Sequence, residues 1–221
     1  MRLFSHFYSM RYLKYIAIAI LVLVLDQASK MWVYNNMQLG EEFRFLGLKW
    51  LKIHYTLNPG MAFGITLPEP YGKIILSVFR IVAVTAIGFY LKKLIDKNNH
   101  WGLLISLTLI MSGAFGNVID SIFYGVFLQN NVIPNAPTAW FHGQVIDMIF
   151  ADFWQGILPE WLPIWGGTYF AAPIFNIADS SIFVGVVSII LFQKRFFGEQ
   201  ELNQDTSSPS PTESSPQTEA P

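Results

Sequence analysis

The chain has 221 residues, 52% of hydrophobic types and only 13% charged, with a mean hydropathy of +0.39; the charged share is about half the ~25% usual in a soluble domain. This composition excludes an ordinary water-soluble globule and, because the apolar residues fall in a few long blocks, points to one membrane domain. A net charge of −1 gives no electrostatic basis for nucleic acid as a partner, and zero cysteines remove disulfides, thiol nucleophiles, Fe–S clusters and Cys-ligated zinc.

A membrane span needs roughly 20 mainly apolar residues, and four blocks qualify, at 12–34, 71–91, 101–120 and 173–193. In the first, Arg2, Arg11 and Lys14 precede an 11-residue apolar run from Tyr15 to Leu25. A cleaved signal peptide begins the same way, but the small-x-small cleavage pattern is missing and Met31-Trp32-Val33-Tyr34 resumes the apolar character, so a span is expected. Asp26 and Lys30 interrupt it. Between the first two blocks, Phe43 to Leu51 and the alternating Ile53-His54-Tyr55-Thr56-Leu57 read as short twisted strands resting on the bilayer surface. Lys73 and Arg80 break the second block, and Asn117 and Asp120 end the third.

The long connection that follows contains Val145-Ile146-Asp147-Met148-Ile149-Phe150, a β-prone run with a carboxylate in its middle that must face something polar. Residues 150–165 are aromatic and apolar; Pro159 and Pro163 exclude one continuous helix, and a short interfacial helix followed by irregular chain is expected. Asn176 and Asp179 stand near the start of the fourth block. From Asn203 the chain is rich in Ser, Pro, Thr and Glu, which predicts a membrane domain over 1–202 and a disordered cytoplasmic tail over 203–221.

Lysine and arginine near the span ends set the orientation. The N-terminal segment carries three, the 92–100 loop carries Lys92, Lys93 and Lys97, and Lys194-Arg195 follow the last block, whereas 121–172 has none in 52 residues. Both termini are therefore expected in the cytoplasm. Trp32, Trp101, Trp140, Trp154, Trp161 and Trp165 fall at span ends or in the outer connection, where indole favours the water-lipid boundary.

An ionisable side chain inside a span costs roughly 2.5 to 3.5 kcal/mol on insertion scales and by default marks function. In the expected orientation Asp26, Lys30, Asn117, Asp120, Asn176 and Asp179 all meet in the outer third of the bilayer. Asn117 with Asp120, and Asn176 with Asp179, are spaced i,i+3 and share a helix face; Asp26 and Lys30, spaced i,i+4, form a self-neutralised pair whose role reads as structural. Asp179, with no cation within four residues, reads as functional. Intramembrane aspartates also occur in transporters and proton relays, but transport sites tend to lie at the midplane between repeats, and no repeat is visible. A scaffold using these groups only as interhelical glue gives no reason for Asp147.

With these residues assembled, the chain resembles the lipoprotein signal peptidase (signal peptidase II) family of bacterial membrane aspartyl proteases. The resemblance covers about residues 12–195 and rests on five blocks in order: Asp26-Gln27-Ala28-Ser29-Lys30, Asn58-Pro59-Gly60-Met61-Ala62-Phe63-Gly64, Gly113 with Gly116-Asn117-Val118-Ile119-Asp120, Val145-Ile146-Asp147, and Phe175-Asn176-Ile177-Ala178-Asp179-Ser180. It implies an α-helical integral membrane protein of four transmembrane helices, with a small extracytoplasmic β-rich element and an interfacial helix. It further implies an aspartic endopeptidase of the bacterial inner membrane, acting as a monomer near the outer leaflet. Its partners are diacylglyceryl-modified prolipoproteins and membrane lipid, cleavage falls on the amino side of the lipidated cysteine, and no metal or organic cofactor is needed. Asp147 and Asp179 would be the catalytic pair. Asn58, Gly60, Asn117, Asp120, Asn176 and Ala178 would line or support the substrate site, and Asp26 with Lys30 the structure around it. Two departures stand out. Ser121 replaces the arginine usual after the third-span aspartate, removing a cation expected to bind substrate backbone, and the connection from Ser121 to Gln144 is longer than usual.

Without a Cys nucleophile or a Ser-His or His-metal constellation, water is the remaining nucleophile; His6, His54, His100 and His142 show no ligand spacing. Two adjacent carboxylates in low dielectric share one proton, so one can act as base and the other as acid.

Overall fold

The computed structural model describes residues 2–60, 71–163, 166–170 and 172–205. Four of its helices are long and apolar enough to cross a membrane. Helix α1 covers Arg2–Asn36, α2 Tyr71–Asp96, and α3 Trp101–Ile119; α3 continues through a π-helical turn (Asp120–Tyr124) into a short α4 (Gly125–Phe127). Helix α5 covers Ile177–Asp205. Even the shortest apolar segment, the 21 residues Ile177–Phe197, reaches roughly 32 Å at the α-helical rise, enough for the hydrocarbon core.

Helices α1 and α2 overrun the expected blocks 12–34 and 71–91, and three further boundaries differ from expectation. The third span runs on to Phe127 because the π turn absorbs an extra residue without ending the helix. The fourth helix starts at Ile177, since Ile174–Phe175 pairs as a strand and Asn176 caps the helix. At the far end α5 extends to Asp205; the remaining tail, 206–221, lies outside the described residues, as do Met61 to Gly64 and Trp165.

Helix α3 is the centre of the bundle and packs on α1, α2 and α5. Small residues make the closest approach: a Cβ on Gly113 would lie 2.3 Å from the Ala178 carbonyl oxygen, and one on Gly185 would lie 2.6 Å from that of Ser106, so α3 and α5 meet backbone to backbone. The hydroxyls inside are satisfied within the helices. Ser106, Thr108 and Ser112 each donate to the carbonyl four residues back, and Ser181 Oγ donates across to Leu109 O at 2.6 Å.

Outside the four long helices the chain forms a four-stranded antiparallel sheet in the order β1-β2-β3-β6, with β1 at Glu42–Arg44, β2 at Leu51–Asn58, β3 at Val145–Ala151 and β6 at Ile174–Phe175. The predicted strands at 53–57 and 145–150 are therefore present and paired, with Thr56 opposite Asp147 and a register shift between Ile53 and Thr56. Residues 45–47, inside the other predicted strand region, form a 3₁₀ turn.

The interfacial helix expected at the start of 150–165 is absent among the described residues. Strand β3 runs to Ala151, and β4 (Gly156–Ile157) pairs with β5 (Tyr169–Phe170). Tertiary contacts decide this: the Asp152 amide donates to Trp50 O at 2.7 Å, Phe153 stacks on Trp50 at 4.8 Å, and Trp154 stacks on Phe170 at 5.8 Å. Asp152 is ion-paired with Lys52 at 3.0 Å. Two apolar clusters clamp the ends of the fold. One holds Tyr15, Leu91, Leu94, Ile95, Leu103, Leu104 and Phe196 near the 92–100 loop; the other holds Val33, Met37, Tyr55, Tyr124, Ile146 and Met148 under the sheet.

Candidate active site

Side chains alternate along a strand, and in β3 the neighbours Ile146 and Met148 enter the apolar cluster with Val33 and Tyr55. Asp147 therefore faces the opposite way, toward Asn58 and the start of α5. It is 2% exposed and accepts two amide hydrogen bonds, from Asn58 Nδ2 at 3.0 Å and from Asn176 Nδ2 at 2.7 Å. Burial first, and then the negative charge of Asp179, push the Asp147 carboxyl up to about 7, against the opposite pull of the two amides.

Asp179 lies in the first turn of α5 and is half-buried. Asn176 is the helix cap: its Oδ1 accepts from the Asp179 amide at 2.8 Å while its Nδ2 holds Asp147. Asn117 of α3 completes the link, donating Nδ2 to Asp179 Oδ1 at 2.8 Å and accepting on Oδ1 from Asn176 Nδ2 at 3.2 Å. One continuous amide network thus joins the two carboxylates, on three separate elements.

Beneath it, Lys30 is fully buried between two carboxylates, Asp26 at 2.8 Å and Asp120 at 2.7 Å, and also donates to Asn117 Oδ1 at 3.1 Å. The Asp26–Lys30 pair is thus part of a triad that ties α1 to α3. Asp26 Oδ1 accepts from the Ala178 amide at 2.9 Å, placing a carboxylate at the electropositive N-terminus of α5. Asp120, Asn176 and Ala178 are fully buried, so they support the site from behind; Asn58 and Asp179 are the partly exposed members.

Gly60 follows β2 with φ of +99°, its amide donating to Asn58 Oδ1 at 2.8 Å. A Cβ there would meet Leu76 Cδ2 at 2.6 Å and Lys73 Nζ at 3.2 Å, so only glycine allows this turn to approach α2.

Several contributors are missed by the sequence reading. Gln27 donates to both Asp26 Oδ2 and Asp120 Oδ1 at 3.0 Å and accepts from Tyr124 Oη at 2.9 Å, locking the triad. Lys73 and Arg80, noted only as interruptions, are spaced i,i+7 and therefore share one face of α2. Lys73 is 4% exposed and its Nζ has no hydrogen-bond partner among the described residues. Arg80 donates to Ser121 Oγ at 3.3 Å. A guanidinium thus stands beside position 121 after all, carried by α2. Charges within an apolar span were the available signal. Among the described residues no group of three His, Cys, Asp or Glu is placed to hold a metal ion.

Residues 18–195 match the family model described as signal peptidase (SPase) II. The chain belongs to the signal peptidase II family. It is 48% identical over 183 residues to the lipoprotein signal peptidase of Amoebophilus asiaticus, covering 80% of this chain and 76% of that one. It is 41% identical over 190 residues to that of Porphyromonas gingivalis, covering 81% and 82%. It is also similar to a bacterial membrane enzyme structure obtained by the in meso method at 2.3 Å resolution, with a TM-score of 0.55, 25% identity and coverage of 91% of this chain and 94% of that one. A signal peptidase II is a membrane protease, so a match of this extent does not favour the transporter or proton-relay reading. Asp26, Asn58, Asn117, Asp120, Asp147 and Asp179 all lie within the matched region.

Proposed function

We propose that this signal peptidase II is an aspartic endopeptidase that removes the signal peptide from diacylglyceryl-modified prolipoproteins, with Asp147 and Asp179 as the catalytic pair. The observation that carries the reading is the Asn117–Asn176 amide network, which joins two carboxylates from β3 and α5 and leaves one of them partly open. Asp147, held near 7 by burial and by its neighbour, keeps the shared proton, and the pair titrates jointly.

The chemistry then follows. Asp179 takes a proton from water as the water oxygen bonds to the scissile carbonyl carbon, and Asp147 gives its proton to the carbonyl oxygen. On collapse a hydroxyl proton of the tetrahedral intermediate returns to Asp147, the C–N bond breaks, and Asp179 passes its proton to the leaving amine of the lipidated cysteine. Lys73 and Arg80 donate to substrate main-chain carbonyls, which are otherwise unsatisfied in an apolar setting. Their charges also balance the cluster: three cations (Lys30, Lys73, Arg80) face four carboxylates (Asp26, Asp120, Asp147, Asp179), and one shared proton makes the total neutral.

The distribution of lysine and arginine supports both termini in the cytoplasm and the site near the outer leaflet. There it meets a bond just beyond a signal helix, beside a cysteine whose acyl chains anchor it at the same depth. Every member of the carboxylate network comes from one chain, which supports a site that is complete in a monomer. The test is reconstitution with a diacylglyceryl-modified precursor. Asp147→Asn and Asp179→Asn should each insert normally and lose turnover roughly 10³-fold or more; full activity in either removes it from the pair.

A further inference from the structure

The connection between the π turn and β3 folds back on itself as a hairpin. Val132 bridges Gly143, the Ile133 amide donates to His142 O at 3.2 Å, and the Gln144 amide is shared between Asn131 O at 2.9 Å and Asn131 Oδ1 at 2.8 Å. Asn131, Ile133 and His142 are buried, so the hairpin is a packed unit. Its return arm meets the π turn backbone to backbone. The Gly143 amide donates to Ser121 O at 3.1 Å, a Cβ on Gly143 would lie 2.3 Å from Asp120 O, and one on Gly125 would lie 2.3 Å from Ala139 O. The same arm then runs directly into β3, so Phe141 and Asp147 belong to one short stretch of chain.

Phe141 joins this unit to a second helix. Its amide donates to Ile122 O of the π turn at 3.4 Å, while its carbonyl accepts from Ser77 Oγ of α2 at 3.2 Å. The two backbone polar groups of one residue thus bridge the end of α3 and α2. Phe141 has a φ of +66°, in the left-handed region that a bulky side chain disfavours, and such a conformation persists only where its surroundings over-determine it. Ser77 is buried, and its single hydroxyl hydrogen is shared between Phe141 O and Lys73 O, the latter at 2.8 Å. The Lys73 carbonyl alone would satisfy it, as the carbonyls four residues back do for Ser106 and Thr108. The second acceptor comes from the docked hairpin.

Lys73, Ser77 and Arg80 follow at i, i+4 and i+7 and share one face of α2, so Phe141 docks between the two cations. Gly60 confines the same stretch from the end of β2, since a Cβ there would lie 3.2 Å from Lys73 Nζ and 3.7 Å from Arg80 Nη1. Arg80 also reaches the π turn, at Ser121 Oγ. We propose that the Phe141 backbone is a strap that fixes α2 against the π turn, which makes Ser77 and Phe141 positioning residues for Lys73 and Arg80. The inference rests on the reading that these two cations contact the substrate main chain. Helix α2 packs chiefly on α3, so a slip of one along the other would carry both cations away from the carboxylates together. Because the strap and Asp147 lie on one stretch of chain, the hairpin registers the α2 cations directly to that acid.

The test is steady-state cleavage of a diacylglyceryl-modified precursor by the full chain, with thermal unfolding to confirm that each variant folds. Ser77→Ala removes the hydroxyl and should lower kcat/KM on the order of 5-fold, almost wholly through KM. Phe141→Val, whose β-branched side chain opposes a positive φ, should match that loss, and Phe141→Gly, which adopts the same φ without strain, should fall clearly short of it. In a Lys73→Met, Arg80→Met background Ser77→Ala should have no further effect, because residues that act through one another are not additive. An undiminished effect in that background would overturn the strap, as would a native KM in folded Ser77→Ala beside an impaired Lys73→Met, Arg80→Met variant. Equal losses in the two Phe141 variants would overturn it as well, and this pair decides the matter if Ser77→Ala fails to fold. Native kinetics in the Lys73→Met, Arg80→Met variant would instead remove the substrate-contact reading on which the strap rests.

Discussion

Asn176 has two separable tasks, and substitutions that split them test the proton assignment. Its Oδ1 caps α5 at 2.8 Å from the Asp179 amide, while its Nδ2 donates to Asp147 at 2.7 Å. Asn176→Ala removes both. Loss of the cap costs about 0.5–2 kcal/mol, and leaving Asp147 Oδ1 without this donor costs about 1–3 kcal/mol, while Asn117 Oδ1 keeps its bond from Lys30, so a total of about 3 kcal/mol is expected from thermal unfolding. Asn176→Asp keeps an oxygen for the cap but loses the donor and brings a third carboxylate against Asp147. The buried like charges outweigh the retained cap, so this variant should be no more stable than Asn176→Ala and no more active. A hydrogen bond to a charged group is worth about 1.5–3 kcal/mol, which predicts a fall in turnover of roughly 10- to 150-fold in either variant.

The pH profile carries the decisive sign. Asp147 must hold its proton to act as the acid, so activity in the native enzyme declines as pH rises through about 7. The Asn176 amide pulls that value down, so removing it moves the alkaline limb upward, and adding a carboxylate moves it further. The expected order is Asn176→Asp above Asn176→Ala above native, measured as kcat/KM for precursor cleavage across pH 5 to 9 on folded protein. A limb that stays at its native position in Asn176→Asp would refute the assignment of the proton to Asp147.

The buried triad and the α2 cations give further checks. Lys30→Met leaves Asp26 and Asp120 buried and uncompensated and should cost about 3–5 kcal/mol, read as a lower unfolding temperature; an unchanged temperature would mean the three charges are not coupled. Arg80→Met and Lys73→Met each remove a cation coupled to Asp147, so they should move the alkaline limb upward and lower kcat/KM by roughly 10- to 100-fold each through lost contacts to substrate carbonyls. Native kinetics in both would remove α2 from the substrate site.

Much of this architecture is legible in the sequence because the membrane imposes a strong rule: a charge inside an apolar block must be explained. That rule, with i,i+3 spacing, brings out Asn117, Asp120, Asn176 and Asp179; a lone carboxylate in an apolar β-prone run draws attention to Asp147, whose pairing with Asp179 is implied only by the family resemblance. It fails where a partner is distant in sequence. Lys30 satisfies Asp26 locally, which hides its 2.7 Å contact with Asp120, ninety residues later in the chain. Lys73 and Arg80 break an otherwise apolar block, but nothing local says that they face Gly60 and Ser121. The segment after Phe150 misleads for a related reason, since its aromatic residues are spent on stacking with Trp50 and Phe170 and not on an amphipathic helix.

The Asp26–Ala178 hydrogen bond spans 152 positions of the chain, and this separation governs biogenesis. A residue of α1 thus sets the starting point of α5, so neither Asp147 nor Asp179 acquires its native surroundings until both helices are in place.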